Sequence, residues 1–493
     1  MWQGLAIAWE GNPIMNQCNS FNIRPATGWV RSYASVVLVL GFASIGWSQA
    51  DIGLRFVDGT PAQSESLPTP IPETDAKNGL TLEALEQKAM VSNPSVRRFA
   101  ALVGAARGNS VQVGLRPNPS VGYEGQQLGS GGLAEQHGVL FSQEIVRGGK
   151  LQLNRAVADR DRMRVEQELA AQQQRVLNDV RIVFYQVLLA QRQIDLTTNL
   201  IRISDEGSQS VDALFQAKEA GRADILQAQL ETENARILAE NARNRHDAAW
   251  RSLAAIVGEP DLAPQPLVGE AAGPPKDFEF HESLSRLLQL SPEISAAAMQ
   301  VERARLALER ARVEPIANVN VQGLVNWQDN GIGGKPDGGI AVSMPIPVFN
   351  RNQGGIARTE HELVAARQAL SQLELDLQNR LAPVFEQYAN ARNQVDRYDK
   401  NILPAAQESL TLTRQMYGAG QANYITLLTA QRTFSQTQLN YLDAVRALRI
   451  SEVEIDGLLL RGSLQTSAAV ELSSESGTGR SSQPIGGLEL FGR

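Results

Sequence analysis

A stretch of about 68 residues, 150–217, sets the strongest limit on how this chain can fold. It contains no proline and only one glycine, Gly207. Proline and glycine are the residues that most often interrupt helices, so their near absence predicts one continuous helix. At about 1.5 Å per residue that helix would be a rod of roughly 100 Å, far longer than a globular core requires. The segment therefore predicts an elongated, mainly helical protein.

Apolar and small residues along this rod recur at alternating steps of four and three, the spacing of helices that pack as coiled coils. The series is Val176, Val180, Val183, Val187, Ala190, Ile194, Thr197 and Ile201. A second series with similar spacing is Leu427, Ala430, Phe434, Thr437, Tyr441, Ala444, Leu448 and Ile455. Both series predict helices lying side by side. Periodicity alone favours a simple helical bundle or rod, such as a coiled-coil scaffold or adaptor in the periplasm.

The chain also carries an internal duplication, because short motifs recur in the same order at a spacing of about 200 residues. The matched positions are Pro94 with Pro292, Pro117 with Pro315, Ser142 with Ser343, Gly221 with Gly420, and Ala228 with Ala430. We expect two repeats, 80–260 and 281–462, joined by a linker, 261–280.

Each repeat is expected to begin with a helix of about 30 residues, 81–113 or 281–313, followed by a glycine-rich stretch with two strands. A long helix, 150–217 or 351–417, then leads through a tight turn to a last helix, 224–257 or 424–458. Pro383 and Pro404 predict bends in the second long helix, because proline removes a backbone donor and crowds the preceding turn.

The first 50 residues resemble a secretory signal, with a short apolar run, Val36–Gly46, and a possible cleavage site after Ala50. Cleavage there would remove Cys18, the single cysteine, so we expect neither disulfides nor cysteine zinc sites. Residues 51–79 and 463–493 are expected to be flexible tails. The net charge of -7 gives no broad basic surface, so nucleic acid is not an expected partner.

Apolar and polar residues alternate in the glycine-rich parts of both repeats. The segments are 121–124 and 139–142 in the first repeat, and 319–327 and 340–344 in the second. Strands with one lipid-facing side and one water-facing side show this pattern. A small soluble hairpin is the alternative. Four strands in lipid cannot close, and their edges would leave backbone groups unpaired, so a membrane sheet predicts about twelve strands from three copies.

Three motifs flank these strands and carry a family resemblance. They are Arg116-Pro117-Asn118-Pro119, the segment Gln143-Glu144-Ile145-Val146-Arg147-Gly148-Gly149-Lys150, and Met344-Pro345-Ile346-Pro347-Val348-Phe349-Asn350-Arg351-Asn352-Gln353-Gly354-Gly355-Ile356. On these motifs residues 80–460 resemble the TolC family of outer-membrane efflux proteins, in particular its heavy-metal branch.

The resemblance implies a mainly α fold with a membrane β-barrel. Duplicated long helical hairpins and two β-hairpins per chain would form a trimeric, twelve-stranded barrel continued by an α-helical tunnel. It also implies a homotrimer in outer-membrane lipid that works with a periplasmic membrane-fusion adaptor and an inner-membrane pump of the resistance-nodulation-division type. A subunit of this kind is a passive exit duct without catalytic residues or cofactors. Cation efflux is the expected function, with type I protein secretion or drug efflux as alternatives.

Two groups of site residues follow. At the strand-to-helix junctions we expect sharp changes of direction at Gly148, Gly149, Pro345, Pro347, Asn350, Gly354 and Gly355. At the periplasmic tips we expect pore-entrance and adaptor contacts from Gly221, Arg222, Asp224, Ile225, Gly420, Gln421, Tyr424 and Ile425. Simple turn capping, with Asp224 as an N-cap, is the alternative for the tip residues.

The chain departs from family features at two places. No cysteine follows Ala50, whereas many members resemble lipoproteins, and Thr426 and Thr429 stand where some members have acidic residues. The four histidines, His137, His246, His281 and His361, are scattered along the chain. Their spacing predicts no metal site.

Overall fold

The computed structural model of the chain describes residues 79–126, 128–129, 135–218, 220–329 and 335–465. The expected signal segment, 1–50, and nearly all of both expected tails lie outside these residues.

The described residues form a long helical hairpin and a β-hairpin in each half of the chain. The first half contains α1 (Leu82–Ser92), α2 (Pro94–Gln112), β1 (Ser120–Gln126), β2 (Gln136–Ile145), α3 (Lys150–Gln216) and α4 (Arg222–Val257). The second half contains α5 (Phe280–Leu290), α6 (Pro292–Arg312), β3 (Val319–Asp329), β4 (Asp337–Ser343), α7 (Gln353–Arg397), a π-helical turn (Tyr398–Ile402), α8 (Leu403–Gly418) and α9 (Tyr424–Asp456). The expected element order is confirmed.

The prediction of one continuous helix over 81–113 and another over 281–313 is wrong. Each of these segments forms two helices, α1 and α2 in the first repeat and α5 and α6 in the second. Asn93 is fully buried between α1 and α2, where its side chain caps α2 by accepting from the Ser95 N–H at 2.8 Å. Ser291 caps α6 in the same way, and a proline occupies the first turn of both following helices. Proline fits the first turn of a helix but not its interior, which is why both breaks fall there.

The two long helices differ in continuity. The first, α3, runs for 67 residues without interruption, as expected. Pro383 lies inside the second, α7, whereas near Pro404 the helix widens into the π-helical turn before α8 begins. Pro404 has no N–H to donate to the carbonyl four residues earlier. In a π turn a carbonyl accepts from the N–H five residues later, so the missing donor can be bypassed.

Each repeat has its own hydrophobic core, which lies around the middle of its long helix. In the first repeat, valines of the predicted seam on α3 pack with Phe184, Trp250 and Leu253. In the second, Leu377, Leu381 and Tyr388 of α7 pack with Leu448 of α9. Burial of these apolar side chains contributes most of the stability of such helix pairs.

The segment expected to be a linker, 261–280, lies against both cores. Leu80 and Leu267 form a parallel β-bridge, and the indole of Trp250 donates to the Leu262 carbonyl at 2.8 Å. Farther along, Tyr388 donates from its hydroxyl to the Lys276 carbonyl at 2.6 Å. The segment therefore connects the repeats as a packed strap.

The end of the described chain is fixed to α3. The side chain of Asn178 donates to the carbonyls of Gly457 and Leu460 at 2.8 and 2.6 Å. Between them Leu458 and Leu459 both have φ of 58°, a conformation that is rare for non-glycine residues. Ser463, which was expected to open the flexible tail, is 2% exposed. Packing against α3 thus continues past the predicted boundary at residue 462.

The four strands form one antiparallel sheet in the order β1-β2-β3-β4. The two hairpins pair through β2 and β3, with a β-bulge at His137/Gly138. Among the described residues, no helix is both long enough and apolar enough to cross a membrane.

Candidate functional site

The two helix–helix turns reverse the chain through a residue in the left-handed conformation. These residues are Lys218, with φ of 65°, and Gly420, with φ of 72°. Their N–H groups bond to carbonyls in the last turn of the preceding helix, Lys218 to Phe215 and Gly420 to Tyr417. Lys218 is therefore the structural counterpart of Gly420.

The sequence matched Gly420 with Gly221, but the structure matches it with Lys218, three residues earlier. Gly221 is extended, with φ of -92°, and its N–H donates to a carboxylate oxygen of Asp224 at 2.8 Å. It occupies the N-cap position of α4, as Asn423 does for α9. Asp224 lies in the first turn of α4, where a carboxylate interacts favourably with the helix dipole, and is not itself the N-cap.

The start of α9 lies beside α3, which brings the two repeats together near their tips. The hydroxyl of Tyr424 approaches Gly207 so closely that a Cβ there would lie 3.2 Å from it. Tyr417 and Tyr424 have ring centroids 6.4 Å apart. The single glycine of α3 thus stands where a tyrosine from the other repeat packs against the helix.

An ion pair joins the last helices of the repeats in the same region. Arg432 of α9 donates to Glu231 of α4, whose side chain is 11% exposed. This bond, together with the charge of Glu231, raises the pKa of Arg432. Burial raises the pKa of the Tyr424 hydroxyl, and the charges of Tyr417 and Glu231 add to the effect, so Tyr424 stays neutral at physiological pH.

The other predicted tip residues differ in exposure. Arg222, Gln421 and Ile425 are exposed, whereas Ile225 is half-buried. Sequence reasoning missed Lys218, Glu231 and Arg432. No local signal marks the ion pair, because its partners lie in different repeats, and lysine is not a typical left-handed turn residue.

The sheet has two faces of different chemistry. One face carries large apolar side chains that are largely exposed: Val121, Tyr123, Val139, Phe141, Val325, Trp327, Ile340 and Val342. The opposite face is mostly small or polar, with Ser120, Gly122, Glu124, Ser142, Glu144, Asn320, Gln322 and Ser343, although it includes Leu140 and Leu324. Tyr123, His137 and Trp327 cluster at the loop end of the apolar face.

The first strand-to-helix junction contains two consecutive glycines in the left-handed conformation. Gly148 and Gly149 have φ of 72° and 66°, which only glycine adopts without strain. The chain also enters β3 beside this junction, where the Asn318 side chain accepts from the Arg147 N–H at 3.3 Å and donates to Glu144 at 2.7 Å.

At the second junction the left-handed residue is Asn352, with φ of 59°, and not either predicted glycine. Gly354 and Gly355 lie in the first turn of α7, and a Cβ on Gly355 would meet the Asn352 side chain. Asn350 accepts the Asn352 N–H at 3.0 Å. Pro345 and Pro347 lie in the exposed segment after β4. Apart from glycine, asparagine is among the residue types that best tolerate the left-handed conformation. Asn352 could therefore have been predicted from the sequence.

In the part of the chain that the structure describes, no three His, Cys, Asp or Glu side chains lie close enough together to hold a metal ion. Its distinctive surfaces are the paired helix tips and the two-faced sheet, which lie at opposite ends of α3.

Comparison with known proteins shows which family has this sequence pattern. The model of the family described as outer membrane efflux protein matches residues 85–259 and 283–459. The chain is 25% identical over 427 residues to the cobalt-zinc-cadmium resistance protein CzcC of Cupriavidus metallidurans, covering 85% of this chain and 99% of that protein. It is 22% identical over 330 residues to the alkaline protease secretion protein AprF of Pseudomonas aeruginosa, covering 63% and 67% of the two chains.

A solved structure has the same fold. The open state of the MtrE outer membrane channel of Neisseria gonorrhoeae superposes with a TM-score of 0.64 at 18% identity, covering 78% of this chain and 91% of that one. The expected fold class is thereby confirmed. Because the family model matches both halves of the duplication, the chain belongs to the outer membrane efflux protein family, whose members are outer-membrane channels with a periplasmic helical tunnel and not enzymes.

Proposed function

We propose that three copies of the chain assemble into one channel, with the four-stranded sheet of each copy forming a third of the wall in the outer membrane. The observation that carries this proposal is the sheet itself. Its exposed apolar face suits lipid, its polar face suits a water-filled lumen, and β1 and β4 each pair on one side only among the described strands. Edge groups in lipid cost several kcal/mol each unless another chain pairs with them.

Two neighbouring positions on β4 test the orientation of the wall. Ile340 is 84% exposed on the apolar face, and Ala341 is exposed on the polar face. We expect Ile340→Asp to reduce the amount of trimer in purified outer membranes severalfold, because a carboxylate facing lipid opposes insertion. Ala341→Asp is the matched control and should leave the amount near wild type. Equal losses from both variants would contradict the assignment of faces.

The two repeats, 80–260 and 281–462, would each supply one hairpin whose tip faces the periplasmic adaptor of a tripartite system. The contact residues would be Gly221, Arg222, Asp224, Ile225, Gly420, Gln421, Tyr424 and Ile425. Support comes from the exposure of Ile425, which is 54% exposed at the tip without an obvious packing role in the single chain. The inner-membrane pump would supply the energy, and the channel would remain passive.

Site-specific photocrosslinking tests the tip contact. A benzophenone amino acid at Ile425 should form a covalent adduct with the adaptor in cells that also express the pump. The same probe at Leu375, which is 68% exposed in the middle of α7, is the control and should give little adduct. If position 375 captured the adaptor and position 425 did not, the docking site would lie elsewhere.

For the cargo we propose divalent heavy-metal cations, exported by a pump of the resistance-nodulation-division type. The similarity to CzcC over nearly its full length supports this choice. Protein secretion is the second candidate, because AprF is also similar over part of its length.

Deletion of the gene distinguishes these candidates. The deletion strain should lose tolerance of cobalt, zinc and cadmium by severalfold, and a plasmid copy should restore it. Unchanged metal tolerance together with loss of a protein from the culture medium would favour secretion instead. Planar-bilayer conductance of the purified protein tests the channel independently of cargo, and the absence of conductance would contradict the channel itself.

A further inference from the structure

Equivalent positions in the two repeats differ in burial at the edges of the sheet. The chain enters β3 through residues 317–320, which are half-buried, but it enters β1 through residues 118–121, which are exposed. The same contrast separates the ends of β2 and β4: Ser142 and Gln143 are half-buried, whereas Ser343 and Met344 are exposed. We call the pairing of β2 with β3 the inner joint, and β1 and β4 the outer edges of the sheet. Positions that are half-buried at the inner joint are exposed at the outer edges.

The two hairpins have matching registers, which makes their positions comparable residue by residue. Ser120 pairs with Ser142 in the first hairpin, and Asn320 pairs with Ser343 in the second. The sequence match of Ser142 with Ser343 anchors the comparison, and the registers then make Ser120 correspond to Asn320. The same comparison aligns Asn118 with Asn318. Its spacing is 200 residues, whereas the sequence match of Pro117 with Pro315 has a spacing of 198.

The inner joint between the hairpins provides a template for a joint between copies. There, β2 pairs with β3 so that Ser142 lies opposite Gln322 and Gln143 lies opposite Val321. In a closed ring of identical copies, each β4 meets the β1 of the next copy. Because the two hairpins are similar, we take the β2–β3 joint as the template for that contact.

We infer that β4 of one copy pairs antiparallel with β1 of the next in the register set by the inner joint, with Ser343 opposite Gly122 and Met344 opposite Val121. This inference rests on the proposed trimer and specifies its interface. Extending the same register places Val342 opposite Tyr123. The occupant of the exposed edge of β4, including the segment after it, is therefore a second copy of this chain.

The chemistry of the two faces fits this register. Val342 comes from the apolar face, as do Tyr123 and Val121. Continuing the alternation of β4 by one residue puts Met344 on the same face. Ser343 and Gly122 both lie on the polar face. A slip by one residue would place apolar side chains opposite polar ones along the whole joint, because side chains alternate between faces at every residue.

The asparagine at each strand entrance adds a second contact to this joint. The Asn318 side chain bonds to Glu144 near the end of β2, to the Arg147 N–H in the junction and to Lys150 at the start of α3. Its counterpart Asn118 is exposed before β1. In the inferred joint Asn118 lies beside the segment that follows β4 in the neighbouring copy, as Asn318 lies beside the end of β2.

Paired cysteines measure the register directly, in the full chain with Cys18→Ser as background. Residues directly opposite in an antiparallel pair have Cα atoms about 4.5–5.5 Å apart, within disulfide range. Gly122→Cys combined with Ser343→Cys should give a covalent trimer on mild oxidation of outer membranes, seen without reductant on a denaturing gel. A Cβ at Gly122 meets no atom within 4 Å in the single chain, so the cysteine fits there.

Two control pairs make the result decisive. Ser142→Cys with Gln322→Cys has the same geometry inside one chain and should oxidise as a monomer. Ser120→Cys with Ser343→Cys is displaced by two residues, roughly 6.6 Å along the strand, and should link poorly. Preferential linkage of the 120–343 pair would overturn the register.

Failure of the register is distinguishable from failure of the trimer itself. If an amine-reactive crosslinker captures trimers of the Cys18→Ser protein, but the 122–343 pair remains monomeric while the 142–322 pair oxidises, the inferred register is wrong. If the amine-reactive reagent captures no trimer, the proposed assembly fails as well.

Discussion

The two long helices occupy corresponding places in their repeats, but they are packed very differently. In α3, eighteen residues are buried, whereas six are buried in α7, none in the π-helical turn and one in α8. Within the chain α3 packs against α2, α4, α6 and α9, whereas α7 has α6 and α9 as its main helical neighbours. The first long helix is thus the interior of the single chain, and the second lies at its edge.

This difference accounts for where irregularity is tolerated. The second long segment contains Pro383, Pro404 and the π-helical turn between them, whereas α3 contains no proline. Within one chain, a local distortion of α3 would disturb helices on several sides, whereas a distortion of the second long helix would disturb fewer neighbours.

A proline placed in α3 should give the largest effect. Asp195 is exposed in the middle of this helix, so its side chain can be replaced without disturbing the core. We expect Asp195→Pro to lower the free energy of unfolding by about 3 kcal/mol or more, because the ring removes a helical hydrogen bond and clashes with the preceding turn.

Thermal unfolding of the detergent-solubilised protein, followed by circular dichroism, measures this loss. Asp195→Ala is the control for removal of the charge and should stay within about 0.5 kcal/mol of wild type. A proline variant that unfolded at the wild-type temperature would show that α3 accepts interruption as readily as the second long helix does.

A second, smaller effect should come from the buried polar side chains of α3. Asn178 is fully buried and supplies the donors for the Gly457 and Leu460 carbonyls. We expect Asn178→Ala to cost about 2–3 kcal/mol, because two buried carbonyls lose their partner. Limited proteolysis should then cut between Gly457 and Gln465 more readily than in wild type. Asn199→Ala, at an exposed position of the same helix, is the matched control, and equal proteolysis of both variants would contradict this role for Asn178.

The helices and strands could be predicted because their signals are local and periodic. Val176, Val180 and Val187 of the predicted seam are fully buried in the first core, and the alternation over 319–327 became β3. The breaks before Pro94 and Pro292 were also visible in the sequence as capping residues followed by proline. They were missed because residues suited to helices continue on both sides of each break.

The tips were harder to predict, because their geometry depends on contacts between distant parts of the chain. Tyr424 packs at Gly207 of the other repeat, and Arg432 pairs with Glu231 across the two repeats. No periodic pattern encodes such contacts. The matching of Gly221 with Gly420 followed residue identity, whereas the conformation places Lys218 at that position.

The two turns provide the smallest expected effect and a direct comparison of the repeats. Lys218 and Gly420 have nearly the same positive φ, but only Gly420 is a residue that adopts it without a steric penalty. Lys218→Gly should therefore raise the free energy of unfolding by up to about 1 kcal/mol, and Gly420→Ala should lower it by about 1 kcal/mol. Gly221→Ala is the control that separates residue identity from conformation. Because Gly221 is extended, alanine there should change the unfolding temperature less than Gly420→Ala does, and a larger loss at position 221 would restore the equivalence suggested by the sequence.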